Sequence, residues 1–266
     1  MRLDGTHVCV TGASRGLGEA LARALHARGA RLSLVARSEE PLRRLADEVG
    51  GWAVPADLTD TAVLGGLIAR VEREAGAPVD LLVNNAGIDA TGGLADADPE
   101  ELARMVHLNL LVPVELSRQV LPGMRRRGRG HILNMSSLAG TAALPGMATY
   151  AATKAALTHF SAGLRAETRG EPIGVTVVEV GLVPTDMRDS VVAYGPTARS
   201  FRRLYRLGTL CDTPVDRLVS ACVSAVERDR RHVRLPRRAV LFPLLAEAPR
   251  RIVEWLTAGV DPRSPG

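Results

Sequence analysis

Apolar positions along this chain follow two alternating periods. Short β-rich runs at His7 to Thr11, Arg31 to Ala36, Gly51 to Pro55, Val79 to Asn84, His131 to Met135, Val175 to Val180 and Val233 to Leu235 predict strands. Between them, Leu17 to Ala27, Glu39 to Val49, Thr61 to Ala75, Pro99 to about Met124, Tyr150 to Thr168 and Pro214 to Glu227 carry the spacing of helices with one buried face. Pro113, inside the fourth of these, predicts a bend or a tightly packed turn. Strands that alternate with helices of about 10 to 20 residues imply crossover connections and a parallel sheet covered on both faces. The expected fold class is therefore α/β, a doubly wound parallel sheet. The stretch from Pro184 to Thr213 breaks the pattern with glycine, proline, arginine and aromatics and reads as a loop or lid. No repeat or low-complexity linker divides residues 1–266, so one domain is expected.

Composition narrows the class. A hydrophobic content of 46% with 24% charged residues suits one large core. No apolar run reaches the roughly 18 residues of a membrane span, and mean hydropathy is +0.05. The opening MRLDGTHVCVTGAS lacks the apolar stretch of a secretion signal, which predicts a cytoplasmic protein. Cys9, Cys211 and Cys222 have neither paired nor metal-ligand spacing, so neither a disulfide nor a structural metal is expected. The net charge of +5 raises the question of a nucleic-acid partner, but the arginines are scattered and 3% aromatic content offers little for stacking, so none is expected. One compositional detail is sharper: of 34 basic residues, Lys154 alone is lysine. Such a position suits a site that needs a compact ammonium instead of a planar fork.

The chemistry-bearing residues gather at the carboxyl ends of the expected strands. After the first strand, Thr11, Gly12, Ala13, Ser14, Arg15, Gly16, Leu17 and Gly18 lead into a helix. Glycines there let the backbone approach a pyrophosphate at a helix N-terminus, although a tight strand-to-helix turn alone would use them too. At the end of the second strand stands Arg37, where a site for NAD usually offers a carboxylate to the ribose. Arg37 and Arg15 would instead clasp a 2′-phosphate, which favours NADP(H) over NAD(H). Asp57 and Leu58 follow the third strand, where the carboxylate would meet an adenine amino group or cap a helix. Tyr150 and Lys154 lie four residues apart on one helix face, an arrangement in which an ammonium stabilises phenolate.

In type and order these motifs resemble the short-chain dehydrogenase/reductase family of the classical type, from about Gly5 to Val226. Thr11 to Gly18 matches T-G-x-x-x-G-x-G, Asn84 to Gly87 matches N-N-A-G, and Tyr150 with Lys154 matches Y-x-x-x-K. Asn109 takes the place of the family's helical asparagine and Ser137 that of the serine thirteen residues before the tyrosine. The resemblance implies a single Rossmann-fold domain and hydride transfer between a nicotinamide and a ketone or secondary alcohol. It assigns catalysis to Ser137, Tyr150, Lys154 and Asn109. Tyr150 would give or take the proton, Ser137 would orient the same oxygen, and Lys154 would hold the ribose and keep Tyr150 acidic. Asn109 would hold a water that links Lys154 to solvent, and no metal is required. Cofactor contacts are expected from Thr11, Gly12, Ser14, Arg15, Gly16, Leu17, Gly18, Arg37, Asp57, Leu58, Asn85, Ala86, Gly87, Tyr150, Lys154, Gly181, Val183 and Thr185, with residues 184–213 as the substrate loop.

Two departures carry information. Val180 replaces the family's proline before Gly181, and residues 236–266 form a basic and apolar tail in place of a short glycine-rich finish. Such a tail resembles that of hydroxysteroid and retinol dehydrogenases, which implies a small-molecule hydrophobic substrate, steroid-, lipid- or polyketide-like. The tail would cover the cleft, contact a second subunit or lie on a membrane surface; Pro243 and Pro249 interrupt any long helix and favour packing on the protein. A homodimer or homotetramer is implied. The alternatives are a 3-oxoacyl thioester reductase of the acyl-carrier-protein type and, more remotely, a non-catalytic NADP-binding regulator.

Overall fold

The computed structural model describes residues 1–142, 144–184, 193–240 and 243–248. Among them, β1 (His7–Thr11), β2 (Arg31–Ala36), β3 (Trp52–Pro55), β4 (Leu81–Asn84), β5 (Gly130–Met135), β6 (Ile173–Val180) and β7 (His232–Leu235) form one sheet in the order β3-β2-β1-β4-β5-β6-β7. Every pairing is parallel. The order reverses between β1 and β4, and such a reversal opens a crevice at the strands' carboxyl ends. The helices are α1 (Gly16–His26), α2 (Glu39–Glu48), α3 (Thr61–Gly65), α4 (Leu67–Ala75), α5 (Pro99–Val106), α6 (Val112–Arg127), α7 (Ala148–Glu167), α8 (Gly195–Arg206) and α9 (Val215–Glu227).

Strand alternation sorts the core into two layers. Val8, Val10, Leu81 and Val83 face α1, α2 and α9, whose Leu21, Leu42 and Leu218 complete one layer. Cys9 and Leu82 point the other way, into a layer closed by Val71 of α4, Leu116 of α6 and Leu164 of α7. Strands β1, β4, β5 and β6 are buried throughout, whereas the edge strands β3 and β7 are partly exposed. Removing a fully buried leucine such as Leu34 would cost about 2–5 kcal/mol.

Three stretches differ from the sequence reading. The helix expected over Thr61 to Ala75 is two, α3 and α4, because the Gly65-Gly66 pair weakens helix continuity and Gly66 takes φ −119°. The long helix from Pro99 is interrupted by a π-helical turn at His107–Leu111. Pro113 has no N–H for the Asn109 carbonyl and its ring crowds that carbonyl, so the chain widens just before it. The expected loop from Pro184 to Thr213 contains α8, which starts with a proline in its first turn and buries Thr197 and Phe201 one turn apart. Four arginines within α8 dilute its hydrophobic signal.

At the β7 edge, four side chains hold the start of the tail. Glu179 on β6 accepts from Arg234 Nε at 2.7 Å and lies 2.9 Å from His232 Nδ1. Glu247 receives Arg234 Nη2 at 2.5 Å and His232 Nε2 at 3.0 Å. The segment 243–248 is thereby fastened to the sheet, while residues 249–266 lie outside the described residues.

Candidate active site

A cleft of about 980 Å³ opens at the carboxyl ends of the central strands. Gly12, Ser14, Arg15, Gly16, Leu17, Gly18, Arg37, Asp57, Leu58, Asn85, Ala86 and Gly87 line one half, with Ser137, Tyr150, Lys154, Gly181 and Val183 further along. Thr11 and Asn109 are buried behind its wall. Thr185 lies outside the described residues.

The first half is built from two loops clasped together. Thr11 Oγ1 accepts from the amides of Asn85 at 3.0 Å and Ala86 at 3.1 Å, and Asn85 Nδ2 donates to the carbonyls of Thr11 and Gly12 at 2.9 and 3.2 Å. Thr11 thus shapes the cleft from beneath. Gly12 has φ +66°, and a Cβ on Gly18 would stand 2.1 Å from the Gly12 carbonyl oxygen, so neither position admits a side chain without displacing backbone. Asn84 stitches the floor, donating to Asn134 Oδ1 at 2.8 Å, and Asn134 in turn donates to Ser161 Oγ at 2.9 Å.

No side chain caps the N-terminus of α1, so its first N–H groups remain available to an anion in the cleft. Arg15 precedes that helix and Arg37 follows β2, both exposed at the cleft mouth. The open helix terminus with its glycine cradle and two arginines fits the phosphates of a dinucleotide. Asp57 is not the helix cap: that role falls to Asp60, which accepts from Ala62 and Val63. The Asp57 carboxylate accepts from the Thr59 amide and hydroxyl at 2.9 and 2.7 Å, bonds that lower its pKa, with Arg37 and Arg104 acting in the same direction.

The second cluster gathers around α7. Ser136 and Ser137 end β5 with different surroundings. Ser136 Oγ donates to the Lys154 carbonyl at 2.8 Å and pairs with Thr158 Oγ1 at 2.7 Å, which ties β5 to α7. Ser137 Oγ donates to the Val180 carbonyl at 3.2 Å, accepts from Ala139 at 3.1 Å and also hydrogen-bonds Tyr150. Lys154 Nζ donates to the Met135 carbonyl at 3.0 Å and stands 5.7 Å from the centre of the Tyr150 ring. The Asn109 amide is committed to Ile88, accepting from its N–H at 2.9 Å and donating to its carbonyl at 2.8 Å. A Cβ on Gly87 would lie 3.0 Å from Asn109 Oδ1 and 3.5 Å from Lys154 Nζ, so that glycine keeps the approach to the lysine open.

The short chain dehydrogenase family profile matches residues 6–194. The chain belongs to that family. Its activity is that of an NAD(P)-dependent dehydrogenase or reductase. This short-chain dehydrogenase is 35% identical over 223 residues to the 3-oxoacyl-(acyl-carrier-protein) reductase FabG of Escherichia coli K12, covering 83% of this chain and 87% of that one. It is 37% identical over 191 residues to the bovine dehydrogenase/reductase SDR family member 7B, covering 68% of this chain but spanning 58% of the bovine protein's length. A short-chain dehydrogenase from Sphingobium yanoikuyae, solved in complex with NADPH, superposes with a TM-score of 0.76 at 29% identity over 98% of both chains.

Electrostatics at the dehydrogenase's second cluster run opposite to one sequence expectation. Burial pushes the Tyr150 phenol up to about 12, against a hydrogen bond to Ser137 that pulls it down. The same burial brings the Lys154 ammonium down to about 8. Desolvation dominates both groups, and the acidifying influence on the phenol is the Ser137 hydrogen bond. The sequence reading omitted Arg104 and Leu108, one turn apart and both facing the cleft, whereas Phe201, Leu204 and Leu210 on its wall fall within the substrate loop expected over residues 184–213. The i, i+4 spacing of Arg104 and Leu108 was a usable signal; for the other three the loop was expected as a whole, and no local pattern singles them out as neighbours of Tyr150. Among the described residues no helix is long and apolar enough to cross a membrane.

Proposed function

We propose that this short-chain dehydrogenase interconverts a bulky hydrophobic ketone and its secondary alcohol, steroid-, lipid- or polyketide-like, with NADP(H). The observation that carries the reading is the wall beside Tyr150, where Leu138, Leu144, Met147, Leu182, Phe201, Leu204 and Leu210 make an apolar chamber. Such a chamber rewards apolar bulk and leaves few groups for a charged substrate. The bound nicotinamide supplies or accepts the hydride. Tyr150 gives its proton to the carbonyl oxygen during reduction, and a phenol held near 12 stays protonated at neutral pH. Ser137 orients the same oxygen. Lys154 binds the ribose, and a water on the main-chain carbonyl of Asn109, to which Pro113 offers no N–H, links the lysine to solvent.

Arg15 and Arg37, with no carboxylate at the end of β2, support NADP(H) over NAD(H), and the NADPH complex of the Sphingobium relative agrees. One domain serves residues 1–266, with 184–213 as the substrate loop and 236–266 as a C-terminal tail that packs on the site, on a second subunit or on a membrane surface. Ala239 on the cleft wall and the contacts of Glu247 with His232 and Arg234 of β7 support packing of the tail's described part on the protein. Val106 and Leu111, exposed on the helices after β4, support a homodimer or homotetramer. Leu244 and Leu245, exposed on segment 243–248, support membrane-surface contact as the alternative use of the tail.

A second reading, 3-oxoacyl thioester reductase, draws on the Escherichia coli relative. The remote third, a non-catalytic regulator, would not need Ser137, Tyr150 and Lys154 around one cleft. NADPH oxidation across a panel from 3-oxoacyl thioesters to steroid-sized ketones, with NADH and Tyr150→Phe as controls, separates the three. Preference for bulky ketones is expected; preference for thioesters would replace the first reading with the second, and no turnover of either would favour the third.

A further inference from the structure

Lys154 is the sole lysine in these 266 residues, and the structure holds one other amine, that of Met1. The two are held differently. The Met1 ammonium donates to the carbonyls of Val226 and Glu227, both at 3.0 Å, at the foot of α9. Lys154 Nζ makes one such bond, to Met135, and lines the cleft beside the open space that Gly87 preserves. The same cleft contains Arg15, Arg37, Arg104 and the uncapped start of α1, which attract anions and outnumber the two carboxylates among its described residues, Asp57 and Asp89.

We infer that Lys154 is a covalent modification site for anionic aldehydes, such as aldehydes bearing a phosphate, which enter the dinucleotide cleft and form an imine with its amine. The chemistry is balanced. The amine nitrogen attacks the carbonyl carbon, the carbinolamine loses water, and a C=N bond replaces C=O with no oxidant or reductant required. Desolvation supplies the nucleophile: with Lys154 near 8, a large fraction is neutral amine in mildly alkaline solution, whereas an ordinary lysine remains charged. Elsewhere on the molecule arginine occupies the cationic positions, and guanidinium does not form such an imine at this pH. Aldehyde stress would therefore act on this enzyme's amine chemistry at its cofactor cleft. The protection by cofactor rests on the dinucleotide reading of the cleft; the labelling itself does not.

The test uses pyridoxal 5′-phosphate as probe at pH 8, borohydride to reduce the imine to a stable secondary amine, and peptide mass mapping. The expected result is one adduct on the Lys154 peptide, absent in Lys154→Arg. Formation should be at least about tenfold faster than with an uncharged aromatic aldehyde, given the cationic cleft. Saturating NADPH, its binding verified separately by its fluorescence, should suppress labelling about tenfold or more because both occupy one cleft. Adduct confined to Met1, or a Lys154 rate unaffected by NADPH that is bound, would overturn the proposal. Failure of NADPH to bind would count against the cofactor reading instead, with Lys154 labelling without nucleotide still deciding this one.

Discussion

The two halves of the cleft are specified by different kinds of atom. In the dinucleotide half, backbone does most of the work: two loops are clasped through Thr11 and Asn85, and Gly12 and Gly18 stand where a Cβ would collide. The substrate half is made of side chains from separate elements, the turn after β5, α8 and the segment around Leu210. Its ties include the Gly92 amide to the Gly146 carbonyl at 3.1 Å and Thr197 Oγ1 to the Pro145 carbonyl at 2.6 Å. A backbone-built site tolerates little change in residue type, whereas a side-chain-built chamber alters its shape with each substitution. The cofactor half is therefore the tightly specified part of the cleft and the substrate half the adjustable part.

The largest expected effect lies where the halves meet. Tyr150→Phe should lower kcat by about 10²–10⁴-fold, the range for losing a positioned proton donor, while the NADPH Kd measured by fluorescence stays within about twofold. Comparable losses in both would show that the tyrosine holds the cofactor half together. The phenol also sets the pH response. Because burial raises Tyr150 to about 12, alcohol oxidation, which needs the phenolate, should keep rising with pH beyond the ordinary phenol value near 10, measured as a kcat profile at saturating NADP. A plateau near pH 7 would mean that the loaded enzyme acidifies the phenol.

Arg37→Ala tests the nucleotide half alone. Loss of a charge-assisted contact of about 1.5–3 kcal/mol predicts NADPH affinity about 10- to 100-fold weaker, with NADH affinity nearly unchanged. Equal weakening of both would remove the 2′-phosphate assignment. The smallest effect is expected in the adjustable half: Phe201→Ala should reduce kcat/KM for a bulky ketone by about 5- to 100-fold, corresponding to 1–3 kcal/mol of apolar contact, and leave a small ketone almost unaffected. A uniform drop for both substrates would place Phe201 in the support of Tyr150 and not in the chamber.

These differences explain what was legible beforehand. Strands β1 and β2 run over the residues their apolar runs predicted, because β-rich segments buried on both faces leave a local pattern. The glycine loop, Arg37, Ser137 and the Tyr150–Lys154 pair were readable for a similar reason: close backbone approach and i, i+4 spacing are written in adjacent residues. Ser136 and Ser137 could be separated only by spacing, and their different partners emerge once α7 packs on β5. The break at Gly66 and the π turn before Pro113 were signalled by residue type but not in form, since packing decides whether a weak point bends, widens or ends a helix.

By itself, the sequence determined the alternating architecture, the nucleotide cradle and the chemistry of its lone lysine, because each depends on residues near one another along the chain. Tertiary structure decided the rest. It joined α8 to Tyr150, bound Asn109 to Ile88, fastened Glu247 to β7, and set the burial that raises the phenol and lowers the ammonium. Chamber shape and desolvation depend on segments far apart in the chain meeting in space, and no local pattern records that meeting.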